Sequence, residues 1–197
     1  MTSTRLSDFF PMFQQGVVVA CRVGCPLGRL LSGEWGLTPD YVAERITTIF
    51  LNGRAIDNVN TAIVGDGSII ALSGAMPGLV GATLRRGGYY AAMRGAITYR
   101  ETDADAIDRI ATVRIKLFNL LLPELVPRFL GRGIRLDAEE SAAFFRSRED
   151  GFWGACHEIT LDHRQIERPV LCAADLFPHG GSVSLTVDFK DDNENQG

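Results

Sequence analysis

Two groups of residues in this 197-residue chain are of types that can do chemistry. The first is Cys156, His157, His163, Cys172 and His179, which gathers all three histidines into one short stretch. A cysteine thiolate activated by a histidine base is a nucleophile, so Cys156 with His163 or His179 is the catalytic arrangement to weigh. His157 is a poor base for Cys156, because adjacent strand residues point to opposite faces. On a strand spanning 155–163, His157 and His163 share a face with Ile159 and Leu161. Histidines with structural roles account for the same residues, and no catalytic residue is assigned.

The second group is Arg85-Arg86-Gly87-Gly88, with Arg94 nearby. Glycines let backbone N–H groups approach a ligand closely, and guanidinium groups bind phosphate or carboxylate in bidentate fashion. A small anionic ligand or an acidic protein surface both fit. The competing reading is a solvated loop whose arginines pair with the chain's own carboxylates. Between Gly67 and Arg100 there is no Asp or Glu, although the chain carries a net charge of −4. The pattern is neither a P-loop nor a dinucleotide fingerprint. Cys21 and Cys25 bracket a glycine, but lack the second tight pair of ligands that structural zinc uses. Two packed thiols are expected there, with no metal and no cofactor.

The acidic balance argues against bulk attraction to nucleic acid or anionic lipid. The N-terminus lacks the apolar core of a signal peptide, and the apolar stretch 117–130 is interrupted by Pro123, Glu124, Pro127 and Arg128. A cytoplasmic chain with reduced thiols, no membrane span and no nucleic-acid partner is therefore expected. A protein partner or a homodimer is compatible with the composition.

Strand signals at Asp8 to Phe13 (an edge, given Pro11) and 17–23 precede a helix opening at Pro26, where Leu27, Leu30 and Leu31 share a face. Thr38-Pro39-Asp40 caps a short second helix. Residues 47–51 form a strand that turns at Asn52-Gly53, a dipeptide suited to the positive φ of a primed hairpin turn. Asp66-Gly67 turns into a strand at 68–73. Residues 76–100 read as a connector, with short strands around Tyr89 to Ala92 and Ala96 to Tyr99. Alternation over 110–118 marks a half-buried strand. A Leu-rich helix over 120–130 is expected to kink or divide at Pro127, and Asp137 to Glu140 caps a helix running to Arg148. Strands at 155–163, 170–173 and 182–189 follow, then a polar, disordered tail at 191–197.

The order strand, strand, helix, strand, tight hairpin, strand is that of a β-grasp fold. Pro26-Leu27-Gly28-Arg29-Leu30-Leu31, Phe50-Leu51-Asn52-Gly53 and Gly65-Asp66-Gly67-Ser68 carry the likeness. On them, residues 16–78 resemble the ubiquitin-related sulfur carriers of thiamin and molybdopterin synthesis. The resemblance implies a terminal Gly-Gly whose carboxylate is adenylated and converted to a thiocarboxylate. Here the matching strand runs into Met76-Pro77-Gly78 and the chain continues, so a carrier role requires cutting after Gly78 or Gly88.

The expected architecture is α+β: an N-terminal β-grasp, ubiquitin-like module (1–78), a Gly/Arg-rich connector (79–100), a C-terminal α+β segment (101–190) packed on the module as a βα unit, and a tail (191–197). The expected role is non-catalytic, an interaction or small-anion-binding protein. An enzyme using the 156–179 region and a processed sulfur carrier are the alternatives.

Overall fold

A computed structural model describes residues 6–74, 76–94, 98–99, 107–148, 152, 156–166 and 181–189, with the backbone alone at 138, 140 and 157. The chain is mixed α and β. It divides into two compact units, Phe13–Leu122 and Met1–Met12 with Pro123–Gly197.

The Phe13–Leu122 unit holds strands β1 (Val17–Val23), β2 (Cys25–Pro26), β3 (Thr48–Leu51), β4 (Arg54–Ala55), β5 (Ile63–Val64), β6 (Ile69–Ser73) and β7 (Arg109–Phe118). Five of them run side by side in the order β1-β7-β6-β3-β4. The β7 strand is antiparallel to β1 and parallel to β6, and β3 is antiparallel to β6 and β4. A parallel neighbour needs a long crossover, and residues 74–108 supply it. The core-facing residues alternate along each strand: Val17, Val19, Cys21 and Val23 on β1, and Val113, Ile115 and Leu117 on β7, are all buried. Leu27, Leu30 and Leu31 are fully buried from the helix Leu27–Arg29, which continues as a π-turn through Glu34. The Asn52-Gly53 turn has φ of 51° and 76° and joins β3 to β4. Its Asn52 is fastened to β6, donating its N–H to the Ile69 carbonyl (2.8 Å) and accepting the Ile69 N–H at Oδ1 (2.8 Å).

Two expected strands give way to helix. Residues 7–15 are helical rather than extended: a 3-10 turn, Ser7–Phe9, leads into the helix Phe10–Gln15. Pro11 falls in the first turn, where its missing N–H has no intrahelical partner to lose. Phe9 and Phe13, four residues apart, are both fully buried, as helical spacing allows. Tyr89–Arg94 is likewise a 3-10 helix and not a strand.

The other unit contains β8 (Ile134–Asp137), β9 (Cys156–Leu161), β10 (Arg164–Gln165) and β11 (Ser182–Phe189) in the order β10-β9-β11-β8, each pair antiparallel. The helix Leu121–Arg132 runs unbroken through Pro127. It buries Leu125, Val126, Phe129 and Leu130. Asp137 caps the helix Ala138–Arg146, its Oδ1 accepting the Glu139 N–H at 2.8 Å. The ring of Phe9 lies 5.3 Å from Phe144 and 5.2 Å from Phe152. Among the described residues no helix is long and apolar enough to cross a membrane. The expected strand at 170–173 and the tail at 191–197 lie outside the described residues.

Candidate functional site

Residues 74–99 connect β6 toward β7 and are tied to the rest of their unit by a series of polar contacts. Thr47 Oγ1 donates to the Gly74 carbonyl (2.7 Å), and the Arg86 N–H donates to the Thr47 carbonyl (2.8 Å). At the far end, Thr98 bridges Ala55 in parallel, and Tyr99 N–H donates to the Ala55 carbonyl at 2.9 Å. The contacts at Ala55 lie on the edge strand β4, whose unpaired backbone groups would otherwise invite another strand.

The centre of this attachment is Asp57. Its Oδ1 accepts the Gly87 N–H at 3.0 Å and pairs with the guanidinium of Arg94. The Arg94 side chain is 2% exposed, whereas Asp57 keeps 40% of its side chain in solvent. Arg94 also donates from Nη1 to the Leu84 carbonyl (3.2 Å), while its Nε has no partner among the described residues. Gly87 adopts φ of 61°, the left-handed region that a side chain occupies only with strain.

Arg86 is also committed. Its Nη2 donates to the Val42 carbonyl at 2.9 Å. That carbonyl belongs to the last turn of the helix Pro39–Glu44, where acceptors have no intrahelical partner. The Nη1 of Arg86 is buried without a partner among the described residues. Burial pushes the Arg86 guanidinium below its ordinary value, opposed by the Asp57 carboxylate.

Arg85 behaves differently. Its side chain is exposed and has no ion pair or hydrogen bond among the described residues. It stands at the end of the helix Gly78–Leu84 and borders an open pocket of about 810 Å³. One wall of the pocket is the Gly78, Gly81 and Ala82 face of that helix. The Arg86-Gly87-Gly88 turn with Tyr89 and Tyr90 continues the lining, and Glu44 and Thr47 also border the pocket. Gly81 is required where it stands, since a Cβ would overlap the Met76 carbonyl.

Of the sequence-selected residues, then, Arg85, Arg86, Gly87 and Gly88 come together at one concave surface, whereas Arg94 is buried against Asp57 and does not line it. The expected backbone cradle is differently used. The Arg85, Arg86, Gly87 and Gly88 N–H groups donate to Gly81, Thr47, Asp57 and Arg85 respectively. What remains for a ligand is the side chain of Arg85 and the positive field of Arg86. Glu44 was not legible as a site residue, because only the long-range fold brings it to this pocket.

The Cys/His group is spread along a hairpin. Cys156 begins β9, and its Sγ donates to the Phe152 carbonyl at 3.8 Å. His163 is in the exposed Asp162-His163 turn, with φ of 48° and 64°, and not on the strand. At ~3.3 Å rise per residue, the ends of β9 are roughly 16 Å apart, far beyond hydrogen-bonding reach. Burial pushes the Cys156 thiol up to about 11. His179 and Cys172 lie outside the described residues. Cys21 and Cys25 are buried free thiols, and among the described residues no cluster of three metal-ligating side chains occurs.

No protein-family model, no curated protein and no solved structure matches this chain.

Proposed function

We propose that this chain is a non-catalytic binding protein, built on a β-grasp scaffold, that takes a small anionic ligand in the pocket beside Arg85. The observation that carries the ligand reading is the unequal use of three arginines. Arg94 neutralises Asp57 and Arg86 closes a helix end, but Arg85 borders the pocket without an ion pair among the described residues. An exposed guanidinium beside a second, partly desolvated one is a receptor for carboxylate or phosphate oxygens. Pockets of this size are in the range that small molecules occupy.

Several features support the scaffold reading. The β1 strand, the helix at 27–34, β3, the Asn52-Gly53 hairpin, β4 and β6 occur in the β-grasp order, with β2, the helix Pro39–Glu44 and β5 set among them. The strand expected ahead of β1 is helical, and the position beside β1 is filled by β7, antiparallel to β1 and parallel to β6. On this reading the scaffold is a β-grasp that takes its first strand from downstream. A carrier made by cutting after Gly78 or Gly88 would part from this central strand, which weighs against that role.

Amide NMR titration with inorganic phosphate and with acetate tests the ligand reading. Saturable shifts are expected at residues 78–90, and Arg85→Gln should abolish them while leaving the remaining spectrum in place. Absence of shifts at these residues with both anions would remove the proposal.

A further inference from the structure

The pocket presents both signs of charge. Glu44, the last residue of the helix Pro39–Glu44, is exposed and lines the same pocket as Arg85. Like Arg85, it has no ion pair or side-chain hydrogen bond among the described residues, and no salt bridge joins the two. Two opposite charges on one concave surface that do not meet each other are arranged to meet a ligand between them. The rim beside them is aromatic: Tyr89 is 93% exposed, and its ring packs edge-on against Tyr90 with centroids 5.1 Å apart.

From this we infer that the ligand is a small zwitterion of the amino-acid type, its carboxylate on Arg85, its ammonium on Glu44 and an apolar group against Tyr89 and Tyr90. The inference rests on the anion-binding reading and narrows it. A simple anion or a dianion gains from Arg85 but is brought close to Glu44, and like charges in one site are a means of rejection. A zwitterion satisfies both groups and loses neither. The tyrosine faces add attraction for an ammonium or an apolar side group. The carboxylate of Glu44 would therefore act as the specificity element, and Arg85 as the anchor common to every anion.

Calorimetric titration of the full chain with L-phenylalanine, N-acetyl-L-phenylalanine and inorganic phosphate tests this. L-Phenylalanine should bind about tenfold more tightly than its N-acetyl derivative, the worth of one charge-assisted contact. Glu44→Gln should erase that preference by weakening L-phenylalanine alone, and Arg85→Gln should weaken both amino-acid derivatives. Each position is exposed, so an unchanged amide spectrum will confirm that the variants fold. Equal or tighter binding of N-acetyl-L-phenylalanine or phosphate to the unsubstituted chain would overturn the inference and leave the anion site standing. Failure of all three probes to bind would overturn both.

Discussion

At the scale of single residues, burial separates the groups that can react from those that cannot. Cys21 lies on β1 with 2% of its surface exposed, and desolvation, aided by Glu34, pushes its thiol up to about 12 from 9.0. Cys25 is raised by burial, and Cys156 is raised by burial to about 11. A thiol reacts through its thiolate, so at pH 8 alkylation of Cys156 should run about a hundredfold, and of Cys21 about a thousandfold, below an unperturbed cysteine. Iodoacetamide labelling mapped by mass spectrometry would show this, and rapid labelling of Cys21 in native protein would contradict it. The same shifts fix a sign for stability. The native state keeps protons on these thiols that the unfolded chain releases above pH 9. Their contribution is therefore complete below pH 9 and is lost as pH rises toward 12, with the Cys21 share absent in Cys21→Ala. Buried thiols were legible from residue type alone, since cysteine is among the most buried residues. The differing fates of Arg85, Arg86 and Arg94 were not, because the partners that hold Arg86 and Arg94, Val42 and Asp57, are distant in sequence.

At the scale of elements, what was legible was local. Asn52-Gly53, the Thr38 cap (whose Oγ1 accepts the Tyr41 N–H at 3.2 Å) and the Asp137 cap are written in a few adjacent residues, and all three stand where expected. Asp8 to Phe13 and Tyr89 to Ala92 are helical where strands are expected because short apolar runs fit either period, and packing decides between them. The attachment of 74–99 is made to residues distant in sequence, and Asp57 makes two of its contacts. Asp57→Ala leaves the Arg94 charge buried and takes the acceptor from the Gly87 N–H, and with Asp57 itself partly in solvent the loss should be about 1–3 kcal/mol. Adding Arg94→Met to Asp57→Ala should recover most of that loss, because an apolar side chain needs no counterion. Urea denaturation of the single and double variants measures the difference. Equal stability of Asp57→Ala and the unsubstituted chain would mean that residues 74–99 are not anchored there.

At the scale of the whole chain, the strand that completes the five-strand array of the Phe13–Leu122 unit comes late in the sequence. No periodicity could reveal that β7 lies between β1 and β6, since pairing partners are a property of topology and not of pattern. Its consequence is a choice between two boundaries. A module ending at Gly78 contains β1, β3, β4 and β6 but lacks the strand that joins β1 to β6. It exposes two long edges and discards the buried Val113, Ile115 and Leu117. A module of residues 13–122 keeps all five strands and follows the compact unit. The fragment 13–122 should therefore unfold cooperatively and show slow amide exchange at Val113 to Leu117, the interior of a strand paired on both sides. The fragment 1–78 should remain unfolded or aggregate, because unpaired apolar strands seek other chains. Dispersed amide spectra for 1–78 alone would show that β7 is dispensable, and the sulfur-carrier alternative would then regain the free-standing module it needs.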